Sequence, residues 1–208
     1  MCLVPEDKFP KENWRRKALI LREELTEEER KQKSAVITTR LLNHSGYTDA
    51  AAVASFVSFG SEVDTGAILQ TALRDGKALF CPRVIRNHPP EIEFYRVTDL
   101  TQLQPGYAGI PEPDKEQETE SLMDYIGRKH ADPIVFMVIP GVAFSRDRDR
   151  IGYGGACYDK YLRNVNTAGD VRMITAAVAY DCQVFANLTG MEEHDIRPDL
   201  LFTETTSS

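Results

Sequence analysis

Long apolar runs are missing from this sequence, since no stretch approaches the roughly 20 residues that a transmembrane helix needs. The first 14 residues, Met1 to Trp14, are charged and hold no apolar segment like that of a signal peptide. We therefore expect no membrane span and no membrane partner. A cytoplasmic location is the default that follows.

Cysteine is scarce, and the four present form neither a C-x-x-C pair nor the spacing of a zinc site: Cys2, Cys81, Cys157 and Cys182. This pattern predicts a reduced protein with unpaired thiols. Metal-ligand spacing is also missing from the four histidines, which we interpret as structural or exposed: His44, His88, His130 and His194.

Positive charge is in deficit, with 25 Lys and Arg against 32 Asp and Glu and a net charge of −7. Bulk electrostatics therefore disfavour nucleic acid as a partner, and an anionic ligand would need a local basic patch. The length of 208 residues suits a single domain over 1–208. We expect residues 1–10 to be a flexible N-terminus and 205–208 a tail.

Helix formers dominate the first part of the chain. The pattern predicts one helix up to about Glu24 and a second from about Glu27 to Leu42. Thr26 and Glu29 form a capping-box signature, a hydroxyl followed three residues later by a carboxylate. The N-terminal region is thus predicted to contribute helices that precede the sheet.

Apolar runs then alternate with a helical pattern. The predicted strands cover residues 51–57, 77–84, 134–139 and 173–180, and a helix covers 65–74. Strands with near-continuous apolar sequence are buried on both faces. We therefore predict a three-layer, Rossmann-like α/β fold with a mostly parallel sheet and helices on both faces. Residues 92–97 alternate like an edge strand or hairpin arm, and 104–120 read as a long loop, either a lid or a surface excursion.

Ligands of open parallel sheets bind beyond the carboxyl ends of the strands. Residues 58–64, residues 140–159 and the segment after Tyr180 meet that condition. The second contains R-I-G-Y-G-G-A-C-Y-D at 150–159, whose glycines allow a close backbone approach and whose successive N–H groups can hold an anion. Arg150 adds a cation suited to phosphate. The segment matches no generic nucleotide motif, so a plain surface loop is an equal alternative on spacing alone.

Other charged residues have two interpretations each. Lys11 and Arg15 lie four residues apart on one face of a predicted helix. They could bind phosphates together, or they could form a solvated basic face. Glu62, in a strand-end loop, could contact a ligand or sit near a helix N-cap. Asp159 and Asp195 could share Mg²⁺, or be ordinary surface charge.

Taken together, these motifs resemble those of the 5-formyltetrahydrofolate cyclo-ligase family. The series consists of K-x-x-x-R at 11–15, E-V-D-T at 62–65, P-G-V-A-F at 140–144 and R-I-G-Y-G-G-A-C-Y-D-K-Y-L at 150–162. Residues 109–113, 179–183 and 193–199 also fit. The likeness runs from about Lys11 to Glu204, nearly the whole chain.

The resemblance implies an enzyme that uses ATP and Mg²⁺ to convert 5-formyltetrahydrofolate, with or without a polyglutamate tail, into 5,10-methenyltetrahydrofolate, acting as a monomer. It implies Arg150 and Tyr158 as catalytic residues. It also implies that ATP binds Lys11, Arg15, Arg150, Ile151, Gly152, Tyr153, Gly154, Gly155, Ala156, Cys157 and Tyr158. The implied folate contacts are Val57, Glu62, Tyr153, Gly154, Gly155, Ala156 and Cys157, and the implied metal-associated acids are Asp159 and Asp195.

Two positions depart from the family pattern R-x-G-x-G-x-G-Y-Y-D. Ala156 replaces the last glycine and Cys157 replaces a tyrosine. Ala156 adopts a positive φ less readily than glycine, so either the loop differs or the position needs no positive φ. We interpret Cys157 as an inert thiol, with a reactive role at a helix N-terminus as the alternative. These departures keep open a non-catalytic folate- or nucleotide-binding relative.

The family chemistry implies that the formyl oxygen attacks the γ-phosphate of ATP and that N10 then closes the ring as phosphate leaves. In this scheme the protein mainly positions the reactants and stabilises charge. A sugar-phosphate isomerase or CoA-transferase on a similar sheet is a further alternative, which would need neither ATP nor Mg²⁺.

Overall fold

The computed structural model describes residues 10–88, 90–115, 119–128, 133–167 and 172–207. Except for Pro10, the expected flexible N-terminus lies outside these residues, as do Cys2, His130 and the last residue of the predicted tail. Within the described part, the helices are α1 (Lys11–Glu23), α2 (Glu27–Leu42), α3 (Ser45–Thr48), α4 (Gly66–Arg74), α5 (Leu122–Gly127) and α6 (Cys157–Thr167).

The strands of the same residues are β1 (Ala52–Ser55), β2 (Ala78–Asn87), β3 (Pro90–Val97), β4 (Leu103–Pro105), β5 (Pro111–Pro113), β6 (Ile134–Ile139), β7 (Ala143–Ser145), β8 (Arg150–Ile151), β9 (Arg172–Val178), β10 (Val184–Phe185) and β11 (Leu200–Phe202). Each strand predicted from an apolar run is present. The β1 strand is shorter than expected and β2 is longer.

The start of α2 follows directly from the capping box in the sequence. The Thr26 hydroxyl accepts a hydrogen bond from the backbone N–H of Glu29 at 3.2 Å, and the Glu29 carboxylate accepts from the Thr26 N–H at 2.8 Å. Two N–H groups that a helix start leaves without partners are thereby satisfied. The predicted boundary between the two N-terminal helices is confirmed.

The main sheet has six strands in the order β11-β9-β6-β1-β2-β3. All neighbouring pairs are parallel except β2 with β3, an antiparallel hairpin whose second arm forms the edge. From β1 the chain proceeds to one side through β2 and then returns to the other side through β6. The strand order therefore reverses between β1 and β6, where ligands of such sheets bind.

Successive strand residues point to opposite faces, and each face is covered by helices. One apolar cluster joins Val53 and Phe136 to α2, α3 and α4. The other joins Ala54 and Met137 to α5 and α6. The predicted three-layer, mostly parallel α/β fold with N-terminal helices is confirmed.

Two features were not predicted. A second sheet, β10-β7-β8, packs against Trp14 and Ala18 of α1 through Val142 and Ile151. The predicted loop at 104–120 contains the β4–β5 hairpin instead of irregular chain throughout. In the described part of the chain, no helix is long and apolar enough to cross a membrane.

Candidate active site

A cavity of about 610 Å³ opens where the strand order of the main sheet reverses. Phe56 and Val57, just after β1, and Pro140, just after β6, lie in its wall. Parallel strands all deliver their carboxyl ends to one edge of the sheet, which is why these two loops meet. The volume falls within the range of about 300–1,000 Å³ typical of small-molecule sites.

Most of the predicted site residues line this cavity: Val57, Glu62, Arg150, Gly152, Tyr153, Gly155, Ala156, Cys157, Tyr158 and Asp159. Five others lie outside its lining: Lys11, Arg15, Ile151, Gly154 and Asp195. Among the described residues, none of the third predicted segment, after Tyr180, lines the cavity. The Tyr180 hydroxyl itself donates to the backbone oxygen of Glu62 at 3.1 Å and supports the loop after β1.

Helix α1 meets the glycine-rich loop from behind. The Arg15 Nε donates to the backbone oxygen of Gly152 at 2.6 Å. Gly154 has a φ of +108°, and a Cβ there would lie 3.7 Å from the Arg15 guanidinium carbon. That distance is an ordinary van der Waals contact, so it is the positive φ that favours glycine here. In this structure Arg15 therefore holds the loop in place, while its predicted phosphate contact is untested.

Arg150 is buried beside Asp159, with only 3% and 12% of the two side chains exposed. Its Nη2 lies 2.7 Å from Asp159 Oδ1, and its Nη1 donates to the Pro140 oxygen at 3.2 Å. Its Nε has no hydrogen-bond partner among the described residues. One donor of a buried guanidinium that lines the cavity thus has no protein partner among the described residues.

Lys11 forms ion pairs with Asp195 at 2.6 Å and with Glu192 at 3.0 Å. Desolvation lowers the pKa of Lys11, but the hydrogen bonds to Asp195 and Glu192 outweigh it and the pKa is raised. Desolvation likewise raises the pKa of Asp195, but hydrogen bonds from Lys11 and the Glu192 backbone outweigh it and the pKa is lowered. Both groups are therefore charged at neutral pH.

Asp159 and Asp195, the two residues predicted to bind a metal, are connected through the backbone next to Asp195. The backbone N–H of Ile196, next to Asp195, donates to Asp159 Oδ1 at 2.9 Å. Each carboxylate already faces a cation, Arg150 or Lys11. Asp195 also belongs to a group with Glu192 and His194 whose ligand atoms lie within 4.8 Å of one another, but Asp159 does not.

Glu62 and the glycine-rich loop meet through Tyr153. The Tyr153 hydroxyl donates to Glu62 Oε1 at 2.7 Å and accepts from Arg22 Nη1 at 3.1 Å. Desolvation and the Glu62 charge raise the pKa of Tyr153 to about 12, so the hydroxyl stays protonated at neutral pH. The loop after β1 and the loop before α6 are thus joined across the cavity mouth.

Sequence reasoning missed Arg22, a buried cation of α1 that lines the cavity. It also donates to Ser61 at 2.9 Å, within the loop after β1. Residues 11, 15, 18 and 22 follow the spacing of one helix face, and extending the K-x-x-x-R stripe would have found it.

Ala156 and Cys157, the two departures from the family pattern, both line the cavity. Ala156 has a φ of +52°, so this position does take the left-handed conformation for which glycine is the natural choice. The Cys157 Sγ lies 3.6 Å from the Pro90 oxygen, and burial raises the pKa of the thiol. A raised pKa supports the inert-thiol interpretation rather than a reactive thiolate. Desolvation also raises the pKa of Tyr158 well above its usual range.

The remaining wall comes from elements that the sequence did not mark as functional. Pro82, Val84 and Ile92 of the β2–β3 hairpin form an apolar side. Phe59 and Tyr107 are exposed aromatic residues that line the cavity together with Tyr153. Such a surface, apolar with a few polar groups, suits a flat aromatic ligand.

Comparison with known proteins gives one consistent result. The sequence model of the 5-formyltetrahydrofolate cyclo-ligase family matches residues 7–204. The mouse 5-formyltetrahydrofolate cyclo-ligase is 26% identical over 182 residues, 86% of each chain. The Escherichia coli K12 protein of that name is 27% identical over 175 residues, covering 84% of this chain and 90% of its own.

Solved structures agree. The NMR structure of Aquifex aeolicus 5,10-methenyltetrahydrofolate synthetase matches with a TM-score of 0.76 and 31% identity, over 95% of this chain and 91% of that chain. A 5,10-methenyltetrahydrofolate synthetase from Mycoplasma pneumoniae matches with a TM-score of 0.69 at 21% identity, over 94% and 99% of the two chains, which supports the fold.

The sheet and its cavity define an α/β protein with a small-molecule site at the strand reversal. The chain belongs to the 5-formyltetrahydrofolate cyclo-ligase family, as its motifs predicted, and is an enzyme of that type.

Proposed function

We propose that this protein catalyses the ATP- and Mg²⁺-dependent cyclisation of 5-formyltetrahydrofolate to 5,10-methenyltetrahydrofolate, with release of ADP and phosphate. One observation carries the proposal. The loop after β1, with Glu62, and the glycine-rich loop, with Arg150, line one cavity of about 610 Å³ although they are distant in sequence. Family membership supplies the reaction, and the cavity supplies a place for it.

The phosphate end of the site is the glycine-rich loop. The unpartnered Nε of Arg150 and the backbone of residues 152–157 at the start of α6 provide positive potential for phosphate oxygens. Arg15 adds positive charge behind the loop, and Lys11 of the same helix is a further cation, paired with Asp195. The folate end is the apolar side formed by Val57 and the β2–β3 hairpin.

The chemistry begins from an amide-like formyl group, which is a poor electrophile. The formyl oxygen of the substrate attacks the γ-phosphorus, the bond to the β-phosphate oxygen breaks, and ADP leaves. N10 then attacks the activated carbon, loses its proton, and expels phosphate as the C–O bond breaks. Arg150 stabilises the charge on the transferring phosphoryl group, and Glu62 with Tyr153 orients the folate.

Magnesium fits the donor chemistry of this site. Asp159 and Asp195 carry the hard oxygen ligands that Mg²⁺ prefers, and they would hold it while exchanging part of their contact with Arg150 and Lys11. A bound Mg²⁺ would neutralise phosphate charge.

We further propose that the chain acts as a cytoplasmic monomer and a single domain, with or without polyglutamate on the substrate. The cavity supports the single domain, because its lining residues come from both halves of the sequence.

The direct test mixes purified protein with ATP, Mg²⁺ and 5-formyltetrahydrofolate and follows the absorbance of the methenyl product together with ADP. We expect both to form in equal amounts and neither to form when ATP is omitted. Folded protein that binds folate in calorimetry but yields no product would instead support a non-catalytic relative. Turnover of a phosphosugar or CoA ester without ADP would support the isomerase or transferase alternative.

A further inference from the structure

The β4–β5 hairpin forms one wall of the cavity. Tyr107, Ala108, Ile110 and Glu112 of this segment line it. The hairpin is fixed to the main sheet, because β5 packs on β2 and β3 and the Arg83 guanidinium donates to the Asp114 oxygen at 3.0 Å. The segment that the sequence left as either a lid or a surface excursion is therefore part of the site.

Glu112 is the unusual residue of this wall. It is only 5% exposed, and its Oε2 is buried without a hydrogen-bond partner among the described residues. The carboxylate lies tightly against Gly106, where an added Cβ would come within 2.4 Å of Oε2. A buried carboxylate oxygen without a donor is unfavourable. Because Glu112 lines the cavity, a ligand there could supply the missing donor.

The surroundings of Glu112 define what that ligand group must be. The neighbouring wall, Val84, Ile92 and Ile110, is apolar and suits a flat ring. A carboxylate repels triphosphate oxygens and the glutamate carboxylates of a folate, and it gains nothing from the carbonyl and formyl oxygens, which are acceptors. The pteridine ring, in contrast, presents an N3–H and a 2-amino group side by side, two donors that match two carboxylate oxygens.

We propose that Glu112 binds the N3–H and 2-amino edge of the pteridine and so determines specificity for the folate ring. This inference rests on the proposed function, because it takes the folate as the ligand. It assigns the hairpin to the folate end of the cavity and leaves the glycine-rich loop to the nucleotide.

The first experiment compares Glu112→Gln with wild type in steady-state kinetics. The amide keeps one acceptor and turns a donor towards the pteridine edge, so we expect KM for 5-formyltetrahydrofolate to rise about 10- to 100-fold. KM for ATP should change less than about threefold, within the scatter of a surface change. The matched control is Glu91→Gln, an exposed carboxylate on β3 that pairs with Arg86 and does not line the cavity. Unchanged folate KM in Glu112→Gln would overturn the inference, as would an ATP KM that rises by the same factor.

The second experiment uses the wild-type protein and does not depend on the folding of a variant. Calorimetry compares 5-formyltetrahydrofolate with an analogue whose 2-amino group is replaced by methyl. We expect the wild type to bind the analogue about 10- to 100-fold more weakly and Glu112→Gln to bind both ligands with similar affinity. Equal loss in the two proteins would place the 2-amino group elsewhere and refute the contact.

The two proposals fail in different ways. If the wild type binds 5-formyltetrahydrofolate but does not turn it over, the proposed reaction fails while the analogue comparison still tests Glu112. If the wild type is active and the analogue binds as well as the substrate, the reaction stands and the role of Glu112 is refuted.

Discussion

Ala156 offers a sharp test of backbone strain in the glycine-rich loop. With a φ of +52° it adopts the left-handed conformation, which is unfavourable by about 1–2 kcal/mol for a residue with a Cβ. Ala156→Gly removes that strain. Two effects oppose this gain. The greater freedom of glycine in the unfolded chain costs roughly 0.5–1 kcal/mol. The loss of the methyl group costs only part of the about 0.8 kcal/mol of a fully buried one, because Ala156 is half-buried.

The balance favours glycine by about 0.5 kcal/mol, which raises the melting temperature by about 1–2 °C in a chain of this size. Urea denaturation and calorimetry measure both quantities. The matched control is Ala35→Gly on an exposed position of α2, where no strain is relieved and glycine should destabilise by about 1 kcal/mol. If both variants lose stability equally, Ala156 is not strained and the reasoning is wrong.

Four further predictions concern the charged groups and Tyr153. Arg150→Lys should lower kcat/KM at least about 100-fold while the protein still folds, whereas Arg150→Ala should also lose about 3–5 kcal/mol of stability because Asp159 is left buried without its cation; kinetics and urea denaturation separate the two effects. Chelation of Mg²⁺ should abolish turnover, reversibly, without lowering the melting temperature, because both acids already face cations. Asp195→Asn should lower the pKa of Lys11 towards 10.5, which an NMR titration of its ammonium would show. The raised pKa stabilises the folded state below pH 10.5, and this contribution is lost as the pH rises past the raised pKa. The variant should therefore lose part of this contribution. Tyr153→Phe should raise the folate KM about 3- to 10-fold with little change in melting temperature, because the largely exposed ring keeps its packing and loses only the hydrogen bonds to Glu62 and Arg22.

Local signals in the sequence were sufficient for much of the fold. The Thr26 capping box and the long apolar run of β6 each determine structure through neighbouring residues, and both elements lie where expected. The small sheet gave no such signal. Its strands are two or three residues long, too short for any periodicity, and β7 pairs with the distant β10 as well as with β8.

The site divides in the same way. Residues of the glycine-rich loop and Glu62 were found because their motifs are contiguous in sequence. Glu112 lies in segment 109–113, which fits the family pattern, but its neighbours in sequence do not predict burial beside a cavity lined largely by distant residues. Arg22 was overlooked because a cation in a charged helix is usually exposed, whereas here it is buried with hydrogen bonds to Ser61 and Tyr153.

The arrangement of charge gives the proposed reaction a physical reason to use a metal. Lys11 and Arg150 are connected through residues 195–196. Lys11 pairs with Asp195, the backbone N–H of Ile196 donates to Asp159, and Asp159 pairs with Arg150. Within this group two cations face three carboxylates once Glu192 is included. A triphosphate approaching it therefore meets no net positive charge, despite the basic residues that the motifs display. In the proposed reaction, a divalent cation arriving with the nucleotide would supply positive charge, and Asp159 and Asp195 would be its ligands.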